Sequence, residues 1–318
     1  MPFGSTNVLT RPQACASDAA DTLGAIDGSV NAVICFQEAW SFRCGLAWPI
    51  IQLAMSLEQR AGRQGPRAMD EAKGLLEQIW ELNQHFTLFA LVCGLISALF
   101  LPVRYLRWDG TKAGILRRLA ASGLCYHVGS GGGAGAPWFR LMDSGLLMVS
   151  TRPAGRHGFV PFAARGSEGM ATKGMLWALF PATDGGEGGH LVVTTHLHAT
   201  DAGIRVAQCA QLLEEVKRLC AELHPALVLL CGDFNEEPGG AVHAALGAPP
   251  LSLARLTDAR GAGTCVERRG DALYARDLDH IYAAALPPRR ACLGSLLAPV
   301  FSRNSDHALV GVCGLRAL

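Results

Sequence analysis

Short apolar runs that stop abruptly on acids or amides recur along this chain. The plainest is Ala226-Leu-Val-Leu-Leu-Cys-Gly-Asp-Phe-Asn235. It predicts a buried strand, because the run is too short for a helix and stops on Gly-Asp. Asp233 and Asn235, one residue apart, then share a side where the strand leaves its sheet. A turn accounts for Gly, Asp and Asn equally well. Residues 31–38 repeat the pattern and end on Glu38, and residues 3–9 read as a short strand ending near Asn7. Further strands are predicted at 145–149, 174–180, 191–195, 278–283 and 308–312.

Helical spacing occurs at fewer places. Residues 15–28 read as a small helix and turn, and 116–124 as a helix ending at a glycine. Residues 205–219 form an amphipathic pattern with Val206, Cys209, Leu212, Leu213, Val216 and Leu219 on one side. Residues 236–276 are loop-rich. Many strands with few helices between them predict a mixed sheet-on-sheet α+β architecture and not a doubly wound parallel sheet.

Residues 41–112 differ from the rest. Residues 44–57 are apolar but contain Pro49, which predicts a short kinked helix. Residues 60–67 are a basic turn, and 69–84 are helical through Leu75, Leu76, Ile79, Trp80 and Leu82. Residues 86–103 then carry no charge until Arg104 and Arg107, at the lower limit for a transmembrane helix. If Glu38 and Asp233 share a site, a single crossing is excluded, since it would separate them across the bilayer. A two-segment hairpin using 44–57 remains, as does a helix lying on the membrane surface or one covered by protein. The proline-containing segment is short for a span, which favours the last two. The glycine-rich stretch 129–136 lacks the Lys-Ser or Lys-Thr and following helix of a phosphate cradle, so it reads as a loop that could rim a site.

Composition narrows the setting. With 318 residues, 50% hydrophobic and 17% charged, the chain can bury an ample core as one large domain or two modest ones. A formal net charge of +1 supplies no global attraction to nucleic acid, so phosphate binding must be local. The 11 cysteines are an odd number, form no C-x-x-C pair and fall partly inside apolar runs. That pattern points to a reducing, intracellular compartment without disulfides or structural zinc, with membrane association through residues 86–103. Met1 leads almost directly into the first strand with no secretory pattern, and a truncated N-terminus fits equally well.

The polar residues that could carry chemistry lie at strand ends. Thr194-Thr-His-Leu-His198 puts His196 and His198 on one face, as a ligand pair or as one catalytic histidine beside a surface one. Without a third nitrogen or sulfur ligand nearby, zinc is disfavoured. Asn304-Ser-Asp-His307 sets an acid beside a histidine, an acid/base pair or a surface turn, and Asp279 adds an acid on a strand. Glu38, Asp233 and Asp306 as acids, Asn7 and Asn235 as amides, and His196 and His307 as acid/base groups make an oxygen-rich set. Such a set suits Mg²⁺ and the hydrolysis of a phosphate ester.

Asn7, Phe36-Gln-Glu38, Asp143-Ser-Gly-Leu-Leu147, Thr195-His196, Gly232-Asp-Phe-Asn235, Leu278-Asp279 and Ser305-Asp-His307 follow one another in an order that resembles the endonuclease/exonuclease/phosphatase superfamily. The resemblance covers nearly all of the chain apart from 41–112. It implies a four-layer α/β/β/α sandwich, one catalytic domain over 1–318 with an inserted apolar helical segment at 41–112. It also implies roles. Glu38 binds Mg²⁺, for which Mn²⁺ could substitute, with Asn7 in support and Asp306 close to the metal. Asp233 and Asn235 orient water and phosphate, His196 contacts the phosphate, and His307 is the base, held by Asp279.

Within the superfamily the chain is most similar to the neutral sphingomyelinases. The resemblance rests on Thr195-His-Leu-His-Ala199, Gly203-Ile-Arg205, Gln208 and Ala171-Thr-Lys173-Gly-Met-Leu176. In that group an Asp five residues before the lysine helps switch the site on, and here Glu168 stands at that spacing before Lys173. The apolar insertion fits a lipid, and the reaction implied is sphingomyelin to ceramide and phosphocholine at a membrane surface. A nuclease would call for a basic groove with aromatic residues, so no nucleic-acid partner is expected. A phosphoinositide phosphatase would call for more Lys and Arg around the site. A catalytically inactive, membrane-associated binding module would be expected to have lost part of the motif set, which is complete. The oligomeric state stays open.

Overall fold

A computed structural model of the chain describes residues 3–7, 32–37, 115–117, 119–129, 143–168, 172–182, 188–257, 263–269, 272–286, 291–292, 295–301, 308–313 and 316–317. Two six-stranded sheets carry the architecture. The first runs in the order β14 (Ser295–Phe301), β15 (Ala308–Cys313), β1 (Phe3–Asn7), β2 (Val33–Gln37), β4 (Leu147–Ser150), β3 (Tyr126–Gly129). The second runs β5 (Arg156–Pro161), β6 (Gly174–Phe180), β7 (His190–His196), β8 (Leu227–Asp233), β12 (Asp279–Ala285), β9 (Ala254–Arg255). Among the described residues, only the β1–β2 and β7–β8 pairs of these sheets are parallel, so both sheets are mixed.

The period of two along each strand decides which layer it joins. On β2, Val33 and Cys35 face the interior with Leu229, Cys231 and Ile281 of the second sheet. Ile34 and Phe36, on the other side, pack on Ile115 and Leu119 of a helical turn. On β8, Leu227, Leu229 and Cys231 face the first sheet, while Val228 and Leu230 pack on Leu212, Val216 and Leu219 of helix α1 (Ala202–Leu223). A short helix, α2 (Ala241–Gly247), joins that outer layer through Val242 and Leu246. The order helix, sheet, sheet, helix is the four-layer sandwich that the motif order implied.

Expected strands at 174–180, 191–195, 278–283 and 308–312 are β6, β7, β12 and β15, each within two residues. Helix α1 starts three residues earlier than 205 because the Asp201 carboxylate accepts a hydrogen bond from the Ile204 amide at 3.0 Å and caps it there. The loop-rich stretch 236–276 contains α2 and a hairpin of β10 (Cys265–Arg269) and β11 (Ala272–Arg276). Helix α2 carries no local cap signal in the sequence: the Glu236 carboxylate accepts from the Val242 amide at 2.8 Å, while Gly240 at the cap position offers no side chain. Strand β14 contains Pro299, and its register with β15 shifts between Leu297 and Val300, as suits a proline in an edge strand.

The expected helix at 15–28, the insertion 41–112 and residues 130–136 of the glycine-rich loop lie outside the described residues. Among the described residues, no helix is long and apolar enough to cross a membrane.

Candidate active site

Strand register assembles the site. Parallel pairing of β7 with β8 sets His196 beside Asp233, and antiparallel pairing of β8 with β12 sets Asp279 on the other side of Asp233. Residues about 40 positions apart thereby become a row across three adjacent strands. The row is buried, with His196, Asp233 and Asp279 at 5%, 2% and 0% exposure. His196 Nε2 lies 3.6 Å from Asp233 Oδ2.

The chain then turns sharply. Gly232 has φ +149°, and a Cβ there would run into the Thr195 carbonyl of the neighbouring strand. Asn235 adopts the left-handed conformation with φ +52°, which Asn tolerates better than most residues. Asp233 Oδ1 accepts the Asn235 amide at 2.8 Å, and Asn235 Nδ2 donates to the Leu197 carbonyl at 3.0 Å. The Leu197 amide donates in turn to the Asp233 carbonyl at 3.0 Å. Gly232-Asp-Phe-Asn235 is a turn, and its hydrogen bonds fix the placement of Asp233 and Asn235.

Lys173 is 8% exposed and donates from Nζ to the Leu197 carbonyl at 2.6 Å. Its Nζ also lies 2.5 Å from Glu168 Oε2, while Glu168 Oε1 accepts the Ala199 amide at 2.9 Å. The acid at the fifth position before the lysine is thus paired with it. One carboxylate holds both the lysine and the backbone. The Leu197 carbonyl receives Lys173 and Asn235 together, so the lysine reaches the site through that peptide.

The motif residues of α1 serve the same segment. Arg205 Nη1 donates to the His198 and Ala199 carbonyls, each at 3.0 Å. Gln208 accepts the His198 amide at 2.8 Å and donates to the Ala164 carbonyl at 2.9 Å. Strand β7 ends at His196, so the alternation that would place His198 on the same face stops there. His198 is fully buried and accepts the Asp201 and Thr200 amides on Nδ1 at 3.0 and 3.3 Å. Burial lowers its proton affinity. It is not a surface residue: its ring holds the turn that leads into α1.

Gln37 was not singled out by its sequence context. It is fully buried and donates from Nε2 to Thr194 Oγ1 at 2.9 Å, joining the two sheets beside the site. Its position just before Glu38, at the end of an apolar run, was the available signal. Asn7 and Gln37 are register partners at the ends of β1 and β2. Asp143 and Ser144 accept the Gly145 and Leu146 amides at 2.9 and 3.0 Å, shaping the entry to β4.

Glu38, Asp306 and His307 lie outside the described residues: Glu38 directly follows β2, and His307 directly precedes β15. Among the described residues no group of three or more His, Cys, Asp or Glu could hold a metal ion. Those at the strand ends, two carboxylates and the Asn235 amide, are nevertheless hard oxygen donors of the kind that suits Mg²⁺ and not a structural zinc.

No family model matches the chain. Over 122 residues it is 38% identical to mouse sphingomyelin phosphodiesterase 5, a match covering 35% of this chain and 25% of that protein. The whole chain superposes on Staphylococcus aureus beta toxin with a TM-score of 0.58 and 14% identity, covering 100% of both chains. A variant of that toxin with bound magnesium ions gives 0.54 at 14% identity over 98% of both. Sphingomyelinase C from Streptomyces griseocarneus gives 0.52 at 17% identity over 99% of both.

Proposed function

We propose that this chain, which has the endonuclease/exonuclease/phosphatase fold, is a Mg²⁺-dependent phosphoric diester hydrolase of a phospholipid headgroup, releasing phosphocholine and ceramide from sphingomyelin. The observation that carries the reading is the buried row His196, Asp233 and Asp279 with the Asn235 turn at its end. The local likeness to a sphingomyelin phosphodiesterase supports the substrate class. The uncharged stretch 86–103 supports contact with a membrane surface.

In this reading Asp233 and the Asn235 amide oxygen orient the attacking water against the phosphorus. His196 binds a phosphoryl oxygen, with the Asp233 carboxylate 3.6 Å from its Nε2. His307 takes the water proton as base, and Asp279 holds it in the required tautomer. Glu38 would hold the cation, with Asn7 and Asp306 beside it, and a divalent cation there polarises the phosphoryl group and steadies the leaving oxygen. Lys173 keeps the Leu197 peptide in place between His196 and the turn.

The test is hydrolysis with and without Mg²⁺ on three substrates: sphingomyelin vesicles, a phosphoinositide and abasic DNA. Mg²⁺-dependent release of phosphocholine, abolished in His307→Ala, is the expected result. Preferential cleavage of DNA or of the phosphoinositide would overturn the substrate, and full activity in His307→Ala would overturn the base.

A further inference from the structure

Beneath the Asp233–Asn235 turn lies a polar cluster that the proposed reaction does not use. Phe234 is fully buried, and its ring meets Tyr282 edge-on, centroids 5.5 Å apart and planes at 72°. The His243 and His280 rings stand beside it at 6.3 and 6.0 Å. The two imidazoles meet each other edge to face at 4.6 Å.

All four ring nitrogens have partners. His243 Nε2 contacts the Glu236 carbonyl at 2.9 Å, and its Nδ1 contacts the Tyr282 hydroxyl. His280 Nε2 contacts the Asp277 carbonyl at 2.9 Å, and its Nδ1 contacts Thr257 Oγ1 at 3.4 Å. A carbonyl only accepts, so each Nε2 carries a proton. Burial favours the neutral ring, lowering His243 and bringing His280 down to about 3, and a neutral ring then accepts from the hydroxyl on Nδ1.

The residue whose carbonyl His243 grips, Glu236, follows directly on Asn235. The turn is thus held on one side by Leu197 and Asp233 and on the other by the Tyr282 to His243 to Glu236 chain. The Glu236 carboxylate fastens the same residue to α2 through the Val242 amide. We propose that His243 is a positioning residue: by clamping the Glu236 carbonyl from Tyr282, it keeps Asn235 in its left-handed conformation and so keeps Asp233 and Asn235 aimed. It rests on the reading of these two residues as the water-orienting pair, and His243 acts through the turn without touching substrate.

Three variants of the full chain separate positioning from packing. His243→Phe keeps a flat ring but loses both hydrogen bonds, Tyr282→Phe loses only the hydroxyl, and His243→Gln keeps a donor and an acceptor. For His243→Phe, kcat on sphingomyelin should fall about tenfold to a hundredfold with KM within about twofold, the scale of a misplaced catalytic group. Tyr282→Phe should fall in the same direction, and His243→Gln should recover most of the loss while thermal stability tracks none of it. Unchanged kcat in His243→Phe, or losses that follow Tm and are not rescued by Gln, would overturn the role. Nitrogen NMR of the wild-type imidazoles reads the clamp without activity: neutral His243 should carry its proton on Nε2 and titrate below an unperturbed histidine. Titration at or above the ordinary value, or a neutral ring protonated on Nδ1, overturns it. A wild type that hydrolyses no phosphodiester but shows this tautomer would sink the functional reading and leave the clamp standing.

Discussion

Gly232 carries the heaviest constraint of any single residue near the site. Its positive φ and the Thr195 carbonyl facing it leave no room for a side chain, because the Thr195 atoms it meets are strand backbone and cannot move aside. Gly232→Ala is expected to cost about 1–3 kcal/mol, lower Tm and disturb the His196–Asp233 row, readable by denaturant unfolding and by loss of hydrolysis. Unchanged stability would mean that the strands separate more easily than their register implies. The acidic and amide character of positions 233 and 235 was legible in the sequence. That Asn235 hangs from the Leu197 carbonyl, and that Lys173 meets the same atom, was not. Sequence spacing says nothing about which peptide two distant donors will share.

Among the elements, those that bury a continuous apolar face were the readable ones. Strands β7 and β8 are buried at every position, and their apolar runs announced them. Strand β5, exposed or half-buried throughout, and the β10–β11 hairpin, with its charged Val266-Glu-Arg-Arg269 stretch, show no comparable run. Helix α1 links the two scales: Leu212 and Val216 hold it to the sheet, while Gln208 and Arg205 reach over its N-terminal end to the His198–Ala199 backbone. Replacing Gln208 by Leu leaves the His198 amide and the Ala164 carbonyl buried without their partner, at about 1–3 kcal/mol. Hydrogen exchange of the His198 amide should accelerate while the β8 amides keep their protection. Equal acceleration of both would show that α1 holds the whole sheet and not this segment.

For the molecule as a whole, burial of neutral histidines couples stability to pH. His280, His243 and His198 all have proton affinities lowered first by burial. The unfolded chain takes up protons as pH drops through the ordinary value of 6.5, whereas folded His280 refuses one until about 3. The histidine contribution to stability is therefore flat above that ordinary value and falls as pH decreases below it, His280 alone contributing up to about 1.4 kcal/mol per pH unit. Thermal unfolding at a series of pH values should show this slope, and His280→Asn should flatten it. The same slope in the variant would assign the effect elsewhere.

The sequence by itself determined where the buried strands run and which polar residues stand at their ends, because side-chain alternation and turn chemistry act over a few residues. The motif order from Asn7 to His307 carried the four-layer expectation as well. Which strand ends become neighbours was a tertiary decision. His196, Asp233 and Asp279 form one row only because β7, β8 and β12 pair in a register that buries Val192, Leu229 and Ile281 on the same face. A slip of one residue would turn those side chains outward and break the row. The same burial closes the layer behind the turn around Phe234, His243 and Tyr282, where no local pattern pointed to a clamp.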